Sequence, residues 1–246
     1  MASKKNDGSF WETIRTVVYA VLIALVVRTF FYEPFNIPSG SMMPTLLEGD
    51  YLFVSKFSYG YSYHTLAFGM PLFDGRILGG EPERGDVVVF RLPRDPSTDY
   101  IKRIIGLPGD TVQVIDGRLH LNGERVERDP IEPFVVTDRL GNVRRIAQYV
   151  ETLPNGVDHR ILELSDTGFL DNTQPYEVPE GQYFAMGDNR DASQDSRVLS
   201  QVGFIPAENL VGRAEFLWFS LEDARFWEIW KWPTHIRWSR LFDGVG

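Results

Sequence analysis

The 246-residue chain has no cysteine, which removes disulfides, thiolate nucleophiles and Cys-ligated zinc together. A chain without thiols is indifferent to redox poise, so an oxidising compartment suits it as well as a reducing one. Basic residues are short: 25 Lys and Arg against 34 Asp and Glu leave a formal charge of -9. That balance argues against a general nucleic-acid binder, which needs a cationic surplus to neutralise phosphates. Histidines are few and scattered: His64, His120, His159 and His235 show no HxxxH or similar ligand spacing, and none adjoins a serine turn. A Ser/His/Asp triad can still assemble from distant positions, although His120, between Leu119 and Leu121, reads as an outward-facing strand residue. Long helical periodicity is missing beyond residue 33. The composition, 43% hydrophobic and 24% charged, excludes a disordered, collagen-like or multi-spanning chain, and the length suits one good-sized domain or two small ones.

One long apolar run is present, near the N-terminus. After a polar tail over residues 1–10, the stretch from Trp11 to Tyr32 would rise about 33 Å as a helix, enough to cross a bilayer. Lys4, Lys5 and Arg15 precede its core, and aromatics stand at both ends. The positive-inside rule places the N-terminus in the cytoplasm and the rest outside. A cleaved leader or a buried core helix is the blander reading, but no small-x-small pair follows in RTFFYEPFN. Residues 33–246 then form an acidic external domain with 21 bases and 32 acids, a net charge of -11.

That domain reads as strands. GDYLFVSKF, DVVVFRL, YIKRII and TVQVI are β-branched or aromatic runs bounded by Gly, Pro or Asp. Asp116-Gly117 and Asn122-Gly123 bracket RLHL, which predicts consecutive hairpins in a meander. Passages near 69–85 and 129–156, rich in Gly and Pro, read as surface excursions, the second with strand-like pieces.

Three segments carry candidate chemistry. In FNIPSGSMMPTLLEGD, residues 35–50, a Ser-Gly-Ser turn leads to Pro44, a favourable first-turn helix residue. Ser41 would sit near a helix start, where an exposed hydroxyl meets unpaired backbone N–H groups, the ingredients of a nucleophile with an oxyanion hole. The plain alternative is that Ser39 and Ser41 only cap that turn. In YIKRIIGLPGD, strand alternation puts Tyr100, Lys102 and Ile104 on one face and Ile101, Arg103 and Ile105 on the other. Apolar neighbours can desolvate Lys102, lower its pKa from about 10.4 and make the neutral amine a base for a serine; a snorkelling surface lysine is the alternative. MGDNRDASQDSR, residues 186–197, holds Asp188, Asp191, Asp195, Arg190 and Arg197, fit for an ion-paired loop in which Ser193 orients a nearby amine. A calcium loop is disfavoured there because the arginines compete for the acids and no Glu closes the run.

The anchor followed in order by PSGSMMPTLLEGD, RGDVVVFR, YIKRIIGLPGD and GDNRDASQDSR resembles bacterial type I signal peptidase, from the anchor to about Gly212. The resemblance implies a mainly β fold, a periplasmic domain of coiled antiparallel sheets behind a single transmembrane helix, with a Ser/Lys dyad and no metal or cofactor. It implies Ser41 as nucleophile, Lys102 as general base, and Ser39 with the Ser41 backbone N–H as oxyanion donors. Ser193 would orient the lysine amine, supported by Asp195 with Arg197 and by Asp188. Phe35, Ile37, Met42, Leu46, Tyr100 and Ile101 would line the substrate subsites. The implied partners are exported preproteins with signal peptides cleaved after an Ala-x-Ala-like site, membrane lipid and a secretion translocon, at the inner membrane with the catalytic domain in the periplasm. The chain departs from some relatives in having neither a disulfide near the GDNRD box nor a second span, and its excursion over 122–180 is expected to diverge. A noncatalytic anchored binding or assembly module would be signalled by a broken serine or lysine box, and a self-cleaving regulator by a DNA-binding domain where the anchor stands. The C-terminal segment with Trp218, Trp227, Trp230, Trp232 and Trp238 suits either a membrane interface or core packing.

Overall fold

The computed structural model describes residues 7–62, 65, 75–137, 141–224 and 226–245; His64 and part of the first Gly-rich passage lie outside them. Helix α1 (Asp7–Phe30) rises about 36 Å. Within it Phe10–Phe30 is long and apolar enough to cross a membrane, with mean hydropathy 1.8 and none of that window buried. The helix stops two residues short of the expected Tyr32 because Tyr32 opens β1 (Tyr32–Asn36), where it pairs with Ser55 of β2 (Asp50–Ser55). Glu33 ties this junction down, 3.1 Å from Arg28 and 2.8 Å from the buried Lys56 ammonium.

The remainder is antiparallel sheet. The strand runs become β2, β3 (Val87–Leu92), β4 (Asp95–Gly106) and β5 (Thr111–Ile115), and the RLHL run becomes β6 (Arg118–Leu121). Both predicted turns form: Asp116 and Gly117 have φ of 48° and 69°, Asn122 and Gly123 53° and 83°, the left-handed pairs that a two-residue hairpin needs. β7 (Glu124–Arg125) completes the meander, and β11 (Tyr176–Glu177) joins it in the order β11-β5-β6-β7.

A seven-stranded sheet holds the order β1-β2-β14-β3-β4-β12-β13, with β12 (Gln182–Met186), β13 (Ile205–Pro206) and β14 (Leu210–Ser220). The last long strand therefore lies in the middle, Ser55 pairing with Arg213 on one side and Val88 with the same Arg213 on the other. One core cluster packs Ile37, Met42, Leu46, Leu52, Val54 and Val87 under this sheet. Burying such side chains is worth about 1.5 to 3 kcal/mol each.

The second excursion is more regular than its composition predicts. β8 (Glu127–Thr137), β9 (Val143–Thr152) and β10 (Asp158–Glu163) make a three-stranded sheet with β9 central. Pro130 and Pro133 mask β8 as a strand, yet β8 is an edge, where proline's missing N–H breaks no ladder, and the register shifts between Ile131 and Phe134. Much of the far end of the β8–β9 pair is exposed, Val135 of β8 and Val143 of β9 included, so no clean alternation marks it.

The C-terminal aromatics divide. Trp218 and Trp232 join a ring cluster with Tyr51, Phe53, Phe219 and Phe226, whereas Trp227, Trp230 and Trp238 are exposed. α2 (Trp232–His235) is a single turn.

Candidate active site

Between β1 and β2 the chain makes one 3-10 turn, Gly40–Met42. The helix expected from Pro44 does not follow, since Met42 and Leu46, both fully buried, are already in the core after one turn, joined by the bond from Leu46 N–H to the Met42 carbonyl. Ser39 occupies the N-cap position but makes no side-chain capping bond, so the capping alternative does not hold for it. Ser41 is buried beneath it.

Lys102 is in β4, opposite Val88 of β3, and its Nζ lies 2.7 Å from Ser41 Oγ. The amine also reaches the Ile101 carbonyl at 2.8 Å and stands 5.4 Å over the Tyr100 ring. Only 3% of the residue is exposed. Burial lowers the Lys102 pKa to about 8, against the opposing pull of Asp195 and Asp188. A serine hydroxyl beside an amine that loses its proton this readily is the pairing needed for nucleophilic attack.

The 186–197 loop closes over both. Arg103, on the other face from Lys102 and fully buried, pairs bidentately with Asp188 at 2.9 and 2.8 Å, and Thr45 donates to the same carboxylate. Burial would raise Asp188, but Arg103 outweighs it and holds the carboxyl below its usual range. Asn189 donates its backbone N–H to the Ser41 carbonyl at 3.1 Å and its side-chain amide to the Gly40 carbonyl at 3.0 Å, fixing the serine turn from behind. Arg197 grips Asp195 with Nε and Nη2, both at 2.9 Å, and Asp195 accepts the Gly187 N–H at 3.0 Å. Gly187 cannot be otherwise: a Cβ there would lie 2.2 Å from Ser193 Oγ and 2.5 Å from the Ser41 carbonyl oxygen.

The structure thus brings Ser41, Lys102, Asp188, Asp195, Arg197 and Ser193 into one buried cluster. Ser193 departs from its expected contact. Its buried hydroxyl does not bond the lysine: it fills the space above Gly187 on the side of the Asp195 carboxylate, while the Lys102 amine turns to its own strand's Ile101 carbonyl. Of the six expected subsite residues, Phe35, Tyr100 and Ile101 are half-buried, while Ile37, Met42 and Leu46 lie in the core behind Phe35 and Ile101. Asn189, Arg103 and Thr45 belong to the site although sequence reasoning gave them no role; Asn189 lies inside a motif already singled out, and Arg103 next to Lys102. RGD at 84–86 is structural, with the Gly85 carbonyl accepting from Arg103 at 2.7 Å and Arg84 pairing with Asp110 at 2.8 Å.

Among the described residues one carboxylate group offers metal-ligand oxygens, Glu163, Asp171 and Asp191, all within 4.8 Å of one another. Arg128 stands 3.2 Å from Glu163, and burial pushes the Glu163 carboxyl up to about 8, so a proton relieves the crowding at neutral pH. His120 and His235 bond to the Arg118 and Lys231 carbonyls, and His159 to Glu151; none contacts Ser41 or Lys102.

Comparison with known proteins agrees with this geometry. A family model described as signal peptidase, peptidase S26, matches residues 10–219. A protein named Signal peptidase I from Rickettsia typhi (strain ATCC VR-144 / Wilmington) is 41% identical over 260 residues, covering 98% of this chain and 96% of its own. One of the same name from Rickettsia canadensis (strain McKiel) is 42% identical over 259 residues, 98% of this chain and 94% of its own. A crystal structure of a signal peptidase I from Enterococcus faecalis V583 is 28% identical and matches 55% of this chain and 97% of its own, with a TM-score of 0.31, too loose a superposition to inform the fold. With relatives this similar along nearly its whole length, the chain belongs to the signal peptidase family, peptidase S26, proteases that remove signal peptides.

Proposed function

We propose that Ser41 and Lys102 form a catalytic dyad that cleaves signal peptides from exported preproteins after an Ala-x-Ala-like site. The observation that carries this reading is the 2.7 Å approach of Lys102 Nζ to Ser41 Oγ inside a site dry enough to bring the lysine to about 8. The neutral amine takes the proton as Ser41 Oγ attacks the scissile carbonyl. The oxyanion develops toward the Ser41 backbone N–H and the Ser39 hydroxyl, which is exposed and caps nothing. Collapse breaks the C–N bond, the leaving amine takes the proton from Lys102, and an acyl ester stays on Ser41. Lys102 then draws a proton from water, the hydroxide attacks the ester, and on collapse Lys102 returns that proton to Ser41 Oγ as the ester C–O bond breaks and the signal peptide leaves with a new carboxyl group. Asp188, Asp195 and Arg197 hold the loop that shapes this site, and Ser193 lines it.

Substrate would bind extended. β1 is a sheet edge, and β12 pairs with β4 only from Arg103 onward, so among the described residues no strand lies beside Asp95–Ile101 of β4 on that side. Ser41 follows β1 in the chain and meets Lys102, the residue after the unpaired stretch of β4, so a peptide added along these edges would present alternate side chains to Phe35, Tyr100 and Ile101, backed by Ile37, Met42 and Leu46.

Residues 1–10 would be a cytoplasmic tail and residues 33–246 the periplasmic catalytic domain, with α1 spanning the inner membrane. Only eleven positions separate Phe30 from Ser41, so the nucleophile stays near the lipid, where a translocon delivers its substrates. The exposed Trp227, Trp230 and Trp238 have the character of interfacial anchors.

The test is processing of a purified precursor, with N-terminal sequencing of the product. Ser41→Ala and Lys102→Ala should each cut kcat by about 10³ or more, because nucleophile and base act as a unit. His120→Ala and His235→Ala should process normally. Substantial cleavage by well-folded Ser41→Ala would sink the assignment.

A further inference from the structure

The catalytic loop is gripped from outside. Arg190, 3% exposed, donates Nη1 to Glu151 Oε2 at 3.1 Å and Nη2 to Glu151 Oε1. Glu151 lies in β9, in the three-stranded sheet that sequence reading took for a divergent excursion, and is itself 1% exposed. Its cross-strand neighbour on β10 is His159, whose Nε2 stands 3.3 Å from Oε1. Burial alone would raise the Glu151 pKa; Arg190 and His159 outweigh it and hold the carboxyl at about 2, so the pair stays ionic across the working range.

Arg190 sits where both halves of the dyad are steered. The residue before it, Asn189, holds the Gly40 and Ser41 carbonyls. Its own carbonyl accepts from Arg197 Nη2, and Arg197 in turn fixes Asp195, whose charge acts on Lys102. The bidentate fork holds the Arg190 guanidinium at both terminal nitrogens, and the Arg197 bond to its carbonyl holds the backbone at the other end of the residue.

We propose that Glu151 is a positioning residue for signal-peptide cleavage: the β8–β10 sheet, through Glu151, clamps Arg190 and so sets the geometry between Ser41 and Lys102. The sheet is then part of the catalytic apparatus; β10 also meets the loop through its backbone, where the Leu162 N–H donates to the Asp188 carbonyl at 2.9 Å, but Glu151 makes the charged contact. The inference rests on the Ser41/Lys102 reading. A plainer role, glue between sheet and loop, would lower stability and leave the chemistry of the correctly folded fraction unchanged.

The experiment uses the full chain in detergent and a precursor substrate, with kcat and KM measured from pH 6 to 10 and folding followed by thermal melting. Glu151→Gln keeps the shape and removes the charge. It should lower kcat at least tenfold with KM within about twofold, and the pH limb should move up from about 8 toward the ordinary lysine value of about 10.4 as the loosened loop admits water. Arg190→Met should do the same, and the double variant should be no worse than either alone. Wild-type kcat and an unmoved limb, with only a lower melting temperature, would overturn the proposal. If Glu151→Gln does not fold, Glu151→Asp decides, since it keeps the charge and retracts it by one methylene: a lower kcat with a raised limb supports positioning, and wild-type values overturn it. Failure of both variants to fold also overturns it, because Glu151 would then be needed for the fold itself. Ser41→Ala run alongside separates the two readings: an inactive Ser41→Ala with a normal Glu151→Gln removes only the positioning role, whereas an active Ser41→Ala removes the dyad.

Discussion

Lys102 Nζ and Ser41 Oγ meet at 2.7 Å across 61 residues of sequence, and Lys102 is buried at that point. Since the amine must be neutral to accept the serine proton, kcat/KM should rise with pH along a limb near 8. A limb near 6.5 that disappears when a histidine is replaced would contradict the base.

The same burial makes Lys102 a stability liability. Its folded pKa is lowered, so below about 8 the fold must bury a charge that the unfolded chain keeps in water, at about 3 kcal/mol for a fall from 10.5 to about 8. Lys102→Met should therefore be inactive yet more stable at pH 7, by about 1 to 3 kcal/mol. The gain should shrink as pH rises and vanish above about 10.5. Urea unfolding at pH 7 and pH 10 checks both halves.

Arg103 and Asp188 are both 1% exposed at the side chain and 2.8 Å apart. Removing one partner strands the other charge, so Asp188→Asn or Arg103→Met should cost about 3 to 5 kcal/mol, and the loop should loosen over Ser41. Because Asp188 is held below its ordinary value, its contribution is complete above about 3.9 and is lost as pH falls through its folded pKa. Wild type should lose this stabilisation only in strong acid; Asp188→Asn should lack it at neutral pH already.

Gly187→Ala tests the close approach of the two motifs. Its Cβ would press on Ser193 and on the Ser41 carbonyl, so kcat should fall at least a hundredfold, with a lower melting temperature. A fully active Gly187→Ala would show that the loop can retreat without disturbing the serine.

Specificity follows from the half-buried wall. Residues one and three before the scissile bond face the same side of an extended peptide, so Ala should be preferred at both, and the residue between should be tolerant. A large side chain at the nearer position would keep the carbonyl from Ser41. A series with Ala, Leu and Phe at each of the three positions is the measurement, and equal rates for Ala and Phe next to the bond would show the pocket misread.

Much of this was legible in residue order because its signals are local. Asp116-Gly117 and Asn122-Gly123 name their turns by the backbone they alone adopt cheaply, and VVVF and YIKRII read as strands by their branched side chains. Ser41 and Lys102 were visible as residue types in suggestive settings, and the family pattern joined them. What stayed hidden depends on distant partners. Nothing near Glu151 says that it meets Arg190, and the prolines of β8 speak against a strand until its place at a sheet edge is known. The helix expected after Pro44 failed because the core claims Met42 and Leu46 first.

The central place of β14 has a consequence in time. Ser41 belongs to the β1–β2 hairpin and Lys102 to the β3–β4 hairpin, and within the sheet these two are joined through β14, which is synthesised after both. Until residues 210–220 arrive, each hairpin presents an unfilled sheet edge, and the 186–197 loop alone must hold the serine turn against the lysine strand. On the Ser41/Lys102 reading proposed above, activity then waits for β14, and a chain cut after residue 209 should carry every residue of the dyad and loop yet cleave nothing.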